Sequence, residues 1–220
     1  MDTSIEYIDK GSNKTLVSFT ALYNDHSTTK DFRKDFKGLL KQSIFNVMFV
    51  ADREMSWYNT VDVDKIKSKL NNQEVITIGS SMGAYNAIQF ANDFNVTKVI
   101  AFATQYSIHP HIVPDQRIWE KHSDKIKKWN NQHLVFNNTT EYYIFSGDKK
   151  EEMYHTNMIP YQRNIHKFTL IGGHYLANRL KAKGILYLLI NDCINYSAKI
   201  VALKYAKYIK CFDVSNFRKR

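Results

Sequence analysis

A serine fenced by two glycines, Gly79-Ser80-Ser81-Met82-Gly83, stands between a run of β-formers and the start of a helical pattern. A hydroxyl becomes a nucleophile only when its side chain is exposed, a base lies beside it and hydrogen-bond donors face the oxyanion that forms. A tight strand-to-helix turn supplies the exposure and the donors together, and Gly-x-Ser-x-Gly in that setting is the nucleophile-elbow pattern. Ser81 is therefore the candidate nucleophile, and the Met82 N–H at the helix start is a candidate oxyanion donor. A glycine-serine turn that merely joins two elements is the competing reading, and a base and an acid are needed to displace it.

Of the eight histidines, His174 alone follows a predicted strand, through Gly172-Gly173, and precedes a long helical pattern. The last loop of a parallel sheet would carry that imidazole to the carboxyl edge, where Ser81 also lies. The acid belongs near the end of the preceding strand, in SGDKKEEMYH. Asp148, nearest the rigid strand end, is preferred as the group that holds the imidazole tautomer, with Glu151 and Glu152 as rivals further along. His109, His111, His122 and His133 lie together in a long connection, yet no carboxylate or cysteine stands at ligand spacing, so no metal is expected.

These residues need a scaffold, and the pattern of β-rich runs provides one: 4–8, 15–20, 44–50, 75–79, 98–103, 142–146 and 167–171. Helical candidates alternate with them at 29–42, 61–71, 82–93 and 175–194, the last with Gly184 as a mild interruption. Such alternation, with near-continuous apolar runs in the strands, defines an α/β protein with a mostly parallel sheet and helices on both faces. The first two runs, joined by a short polar turn, predict an antiparallel edge hairpin. Residues 105–140 break the rhythm and carry Trp119 and Trp129, which predicts a small helical cap inserted into one domain spanning 1–220. The tail, 195–212, carries lysines on one arc and apolar residues on another. It reads as a basic amphipathic helix docked on the sheet, with membrane-surface binding as the less favoured use.

With this order of Ser81, an acid after the penultimate strand and His174 after the last, the chain resembles the α/β-hydrolase superfamily over roughly residues 14–190. The resemblance implies a small serine esterase-like protein that works through an acyl-enzyme. It implies a second oxyanion donor just after the first parallel strand, at Ala21 or Leu22. No His-Gly-Gly-Gly lipase signature stands there, so the implied substrate is a small polar ester, such as an acylated sugar or metabolite, rather than a large lipid, and the implied activity is that of a carboxylesterase or deacetylase. Arg53 and Trp57, in the loop after the third strand, are candidates for contacting that substrate. An acyltransferase or a thioesterase would use the same triad, and no cofactor is implied. The rival from another class is a catalytically silent binding or scaffold protein in surface-polysaccharide assembly or export.

The bulk composition agrees with a globular chain: 44% hydrophobic and 24% charged residues across 220 positions. A net charge of +10 favours contact with an anionic surface or polysaccharide, but the lysines are spread along the chain rather than clustered with stacking aromatics, so no specific nucleic acid is expected. Cys193 and Cys211 are unpaired in spacing and read as reduced thiols. With no basic start followed by an apolar stretch and no run long enough for a transmembrane segment, the expected location is the cytoplasm.

Overall fold

Period-two alternation along the strands sorts apolar side chains onto the two faces of one sheet. The computed structural model describes residues 3–23, 32–70, 74–114 and 117–214. Eight strands are hydrogen-bonded in it: β1 (Thr3–Ile8), β2 (Lys14–Phe19), β3 (Asn46–Asp52), β4 (Glu74–Ser80), β5 (Val96–Phe102), β6 (Glu141–Gly147), β7 (Ile165–Leu170) and β8 (Ile209–Val214). Their spatial order is β1-β3-β2-β4-β5-β6-β7-β8, with β2 to β7 parallel and the two outer strands antiparallel to their neighbours.

Met48 and Val50, Tyr142 and Ile144 face one core, while Val47 and Phe49, Tyr143 and Phe145 face the other. The first core is closed by α2 (Val63–Lys67) and α3 (Met82–Asp93), through Ile66, Ile88 and Phe90. The second is closed by α1 (Leu39–Gln42), α6 (Leu176–Ala182), α7 (Leu186–Asn195) and α8 (Ala198–Lys204), through Leu39, Leu180, Leu189 and Val201. Each fully buried Ile, Leu or Phe contributes about 2 kcal/mol of transfer free energy, so both faces carry the sheet. The α/β architecture with helices on both faces is the one expected. Two further helices stand among the described residues: α4 (Glu120–Ser123), which follows a 3₁₀ turn at Arg117–Trp119, and α5 (Lys150–Met158).

Four local expectations are corrected. β1 and β2 do not form a hairpin: β3 lies between them, and β1 pairs antiparallel with β3 from Thr3 opposite Asp52 to Ile8 opposite Val47. The connection is tied by the buried Asn46, whose side chain accepts from the N–H groups of Lys10 and Ser12 and donates to the Ser12 carbonyl. Buried β2 gains a parallel neighbour on each side, whereas half-buried β1 takes the edge. Of the helix expected over 29–42, residues 29–31 lie outside the described part, 32–34 are irregular and 35–38 form a turn that leads into α1. The helix expected over 175–194 is split at Gly184, whose φ of +72° allows the Ile185 N–H to reach the Leu180 carbonyl and end α6.

The basic amphipathic helix expected over 195–212 stops at Lys204. Val201 and Tyr205 dock it as anticipated, but the chain then extends as β8 against β7, stacking Phe212 on Phe168 with ring centroids 4.5 Å apart. Pairing with the exposed β7 edge overrides the helical spacing. Between β5 and β6, residues 105–140 contain only the 3₁₀ turn and α4 as helix among the described residues. Among the described residues no helix is long and apolar enough to cross a membrane.

Candidate active site

Ser81 occupies the corner between β4 and α3 with φ +54° and ψ −124°, a conformation that side chains other than glycine adopt at a cost of about 1–3 kcal/mol. Its N–H donates to the Phe102 carbonyl of β5 (2.9 Å) and its carbonyl accepts from Tyr85 (3.0 Å), so the sheet and the first helical turn hold the strained residue from both sides. Both flanking glycines are required by close approach. A Cβ at Gly79 would strike the Gly83 carbonyl group, and one at Gly83 would strike the Phe19 carbonyl at the end of β2. Met82 is the first residue of α3, so its N–H has no intrahelical acceptor and is available to an oxyanion.

His174 Nε2 lies 2.9 Å from Ser81 Oγ, and His174 Nδ1 lies 2.8 Å from Glu152 Oε1. A neutral imidazole satisfies both contacts when Nδ1–H donates to the carboxylate and Nε2 accepts the serine proton. The imidazole is about a quarter exposed, while the Glu152 side chain is only 9% exposed. The serine proton thus has a direct path to a base whose far side is held by a buried acid.

The carboxylate on the imidazole is Glu152, not Asp148. Asp148 follows β6 directly, but its Oδ1 accepts from the Gly172 N–H and its Oδ2 pairs with Lys210 of β8, both at 3.0 Å. Those two partners hold its pKa below the usual carboxylate range. Asp148 therefore ties the loops after β6 and β7 together. Glu151 and Glu152 share the first turn of α5, where successive residues point about 100° apart. Glu151 is exposed and Glu152 is turned inward against His174.

His155, one turn along α5 and 4% exposed, is a titratable group that sequence reasoning missed. Burial pushes its pKa down to about 4 against the opposing pull of Glu152, which leaves it neutral at neutral pH. The EEMYH spacing, Glu152 to His155 on one helix face, was the available signal.

Of the two implied oxyanion positions after β2, the Ala21 N–H is already engaged by Asp35 Oδ2 at 2.7 Å. Leu22, the other implied position, lines the cleft together with Ser81. The loop is further supported by Tyr58, buried beneath it, whose hydroxyl donates to the Thr20 carbonyl at 2.8 Å. Tyr58 is fixed in turn by the buried Asp52, which accepts from the N–H groups of Glu54, Ser56 and Tyr58. Burial raises the Asp52 pKa, with those donors opposing.

The two substrate-contact candidates do not reach the site. Trp57 is 2% exposed and packs edge-on against Trp119 at 5.5 Å, and Arg53 does not line the cleft over Ser81. Trp119, from the excursion after β5, takes the place expected of Trp57: its ring lies 5.4 Å from that of His174 and walls the cleft. The cleft measures about 540 Å³ and includes Ser81, His174, Trp119 and Tyr175. Among the described residues no three His, Cys, Asp or Glu side chains gather as metal ligands would.

A strand-turn-helix serine with its histidine after the last parallel strand, on this strand order, gives the chain the α/β-hydrolase fold, and solved structures agree. Capsule O-acetyltransferase of Neisseria meningitidis serogroup A matches 84% of this chain and 92% of its own, at 17% identity and a TM-score of 0.57. The NocB thioesterase domain, solved as a covalent fluorophosphonate complex, matches over 87% and 99%, at 10% identity and a TM-score of 0.54. The glycosylation-associated Gap123 complex of Streptococcus agalactiae matches over 89% of this chain and 46% of its own, at 15% identity and a TM-score of 0.56. No protein-family model and no curated protein sequence matches.

Proposed function

We propose that this chain is a serine acyl-transfer enzyme that hydrolyses a small polar ester through Ser81, His174 and Glu152. The observation that carries the reading is the continuous contact from Ser81 Oγ through the imidazole to Glu152, at 2.9 and 2.8 Å. His174 Nε2 takes the hydroxyl proton as Ser81 Oγ attacks the carbonyl carbon. The Met82 and Leu22 N–H groups face the oxyanion, and Glu152 stabilises the imidazolium that forms. Collapse of the tetrahedral species expels the alcohol, which takes its proton from Nε2, and leaves an ester on Ser81. Water, deprotonated by the same imidazole, then frees the carboxylic acid.

An acyltransferase is the second reading, in which an acceptor hydroxyl replaces water in the last step. The cleft, about 540 Å³, has room for more than a small ester, and capsule O-acetyltransferase of N. meningitidis, one of whose structures holds CoA, shares the fold. A silent scaffold role is less well supported, because a bystander would have no need of a strained serine in register with a buried acid. Labelling with a fluorophosphonate probe tests the triad. The intact chain should label covalently and Ser81→Ala should not; labelling equal in both would refute Ser81 as the nucleophile. Turnover of an acetyl ester with and without a sugar acceptor, with acetyl-sugar quantified by mass spectrometry, separates transfer from hydrolysis.

A further inference from the structure

We infer that the cleft over Ser81 binds a substrate by a phosphate or comparable multiply charged anionic group, gripped by Lys37 and Lys181; the inference rests on the acyl-transfer reading and names its substrate class. Among the described residues, four cationic side chains line this cleft, Arg33, Lys34, Lys37 and Lys181, against one carboxylate, Asp35. Arg33 is paired with Asp35 at 2.8 Å, and Lys34 with Glu6 of β1. Lys37 and Lys181 have no counter-charge among the described residues. They arrive from different elements, Lys37 from the turn before α1 and Lys181 from α6 beyond His174, yet border one concave space. Two lysines with no counter-charge among the described residues, on one cleft wall, focus its potential and raise the local concentration of anions.

The turn that carries Lys37 is fixed in place. The Asp35 carbonyl accepts from Ser18 Oγ at 2.8 Å and the Arg33 carbonyl from Thr20 Oγ1 at 3.0 Å, which ties the segment to the end of β2. Its far end is held where the Gly38 N–H donates to the Tyr187 hydroxyl at 3.0 Å, a contact only a glycine permits because a Cβ there would enter the Tyr187 ring. Between these ties Phe36, 8% exposed and with φ +56°, stacks on Phe102 at 5.8 Å. The Asp35 carboxylate also holds the Ala21 N–H, so one short segment both shapes the oxyanion loop and presents the lysine. A tethered turn loses little freedom on binding, which is what a recognition element requires and a solvated lysine-rich surface does not. Trp119 and Tyr175, which also line the cleft, bring no charge, so a substrate with its acyl end over Ser81 finds its electrostatic partners in the lysines.

The anion can belong to an acyl donor or to a phosphorylated sugar ester, and paired substrates tell these apart. kcat/KM would be measured for acetyl-CoA against S-acetylpantetheine, and for an O-acetylglucose 6-phosphate against the same ester without phosphate. In the intact chain the charged member of one pair should lead by tenfold or more, and Lys37→Glu with Lys181→Glu should reduce that ratio by on the order of tenfold per lysine. The pair that responds identifies the source. Equal rates within both pairs, or a preference that survives charge reversal, overturn the inference.

Pyrophosphate binding to Ser81→Ala, measured by calorimetry, judges the anion site without turnover. Saturable binding that weakens tenfold or more on charge reversal, and also falls with added salt, supports it. Binding that is absent, or indifferent to the two lysines, overturns it. Loss of fluorophosphonate labelling would defeat the acyl-transfer reading while leaving this calorimetric result to stand or fall alone.

Discussion

Replacing Glu152 by Gln changes one atom and removes one charge, which makes it the sharpest probe of the proposed relay. At 2.8 Å, the attraction between the carboxylate and an imidazolium is about 6 kcal/mol for an effective dielectric of about 20. The imidazole is about a quarter exposed, so solvent screening reduces this to roughly 4–5 kcal/mol in the transition state. Each 1.36 kcal/mol is tenfold in rate, and the expected loss in kcat is therefore about three orders of magnitude. The amide also permits the other imidazole tautomer, in which Nε2 carries the proton and cannot accept one from Ser81, and this pushes the loss toward 10⁴-fold. Asp148→Asn, by contrast, weakens the ties to Gly172 and Lys210, and its kcat should stay within about tenfold. The assay is hydrolysis of p-nitrophenyl acetate by both variants, with circular dichroism to confirm folding. A folded Asp148→Asn that loses most activity beside a Glu152→Gln that keeps it would refute the reasoning.

Gly79→Ala should destabilise the chain by about 3 kcal/mol or more in urea unfolding, because the new Cβ meets the Gly83 carbonyl and the backbone on both sides is pinned; an unchanged midpoint would contradict the close approach. His155 should set part of the acid sensitivity of the fold. Its folded pKa, about 4, lies below the unfolded value of about 6.5, so the unfolded chain binds more protons between them. The stabilisation is intact above pH 6.5 and is lost as pH falls toward 4, by about 3 kcal/mol in all. His155→Leu should lose distinctly less stability than the intact chain between pH 7 and 4.5, and parallel losses would show that this histidine does not titrate with folding.

The amino-acid sequence by itself determined the parts of this protein that are local. VITIGSSMGAYNA encodes a strand, a close-packed corner and a helix within thirteen residues, so Ser81 and the Met82 N–H were legible without any partner. His174 was legible for a similar reason, since a Gly-Gly pair between a strand and a helix marks the loop that carries it. Alternating strands and helical patterns likewise disclosed the parallel sheet and its two covered faces.

Tertiary structure alone decided which groups were already occupied. Asp148 stood in the expected place, but Lys210, 62 residues away, draws its carboxylate aside, and that lysine is within reach only because the tail becomes β8. The tail's spacing suits a helix as well as a strand, and the unpaired β7 edge settles the matter. Glu152, one of the two rival acids the sequence offered, reaches the imidazole by the phase of α5, which separates it from Glu151 and which spacing from the strand end does not decide. The Ala21 N–H is likewise taken up by Asp35, and Trp119 rather than Trp57 walls the cleft. In each case residue type and local spacing define what a side chain can do, whereas long-range hydrogen bonds and packing choose the partner with which it does it.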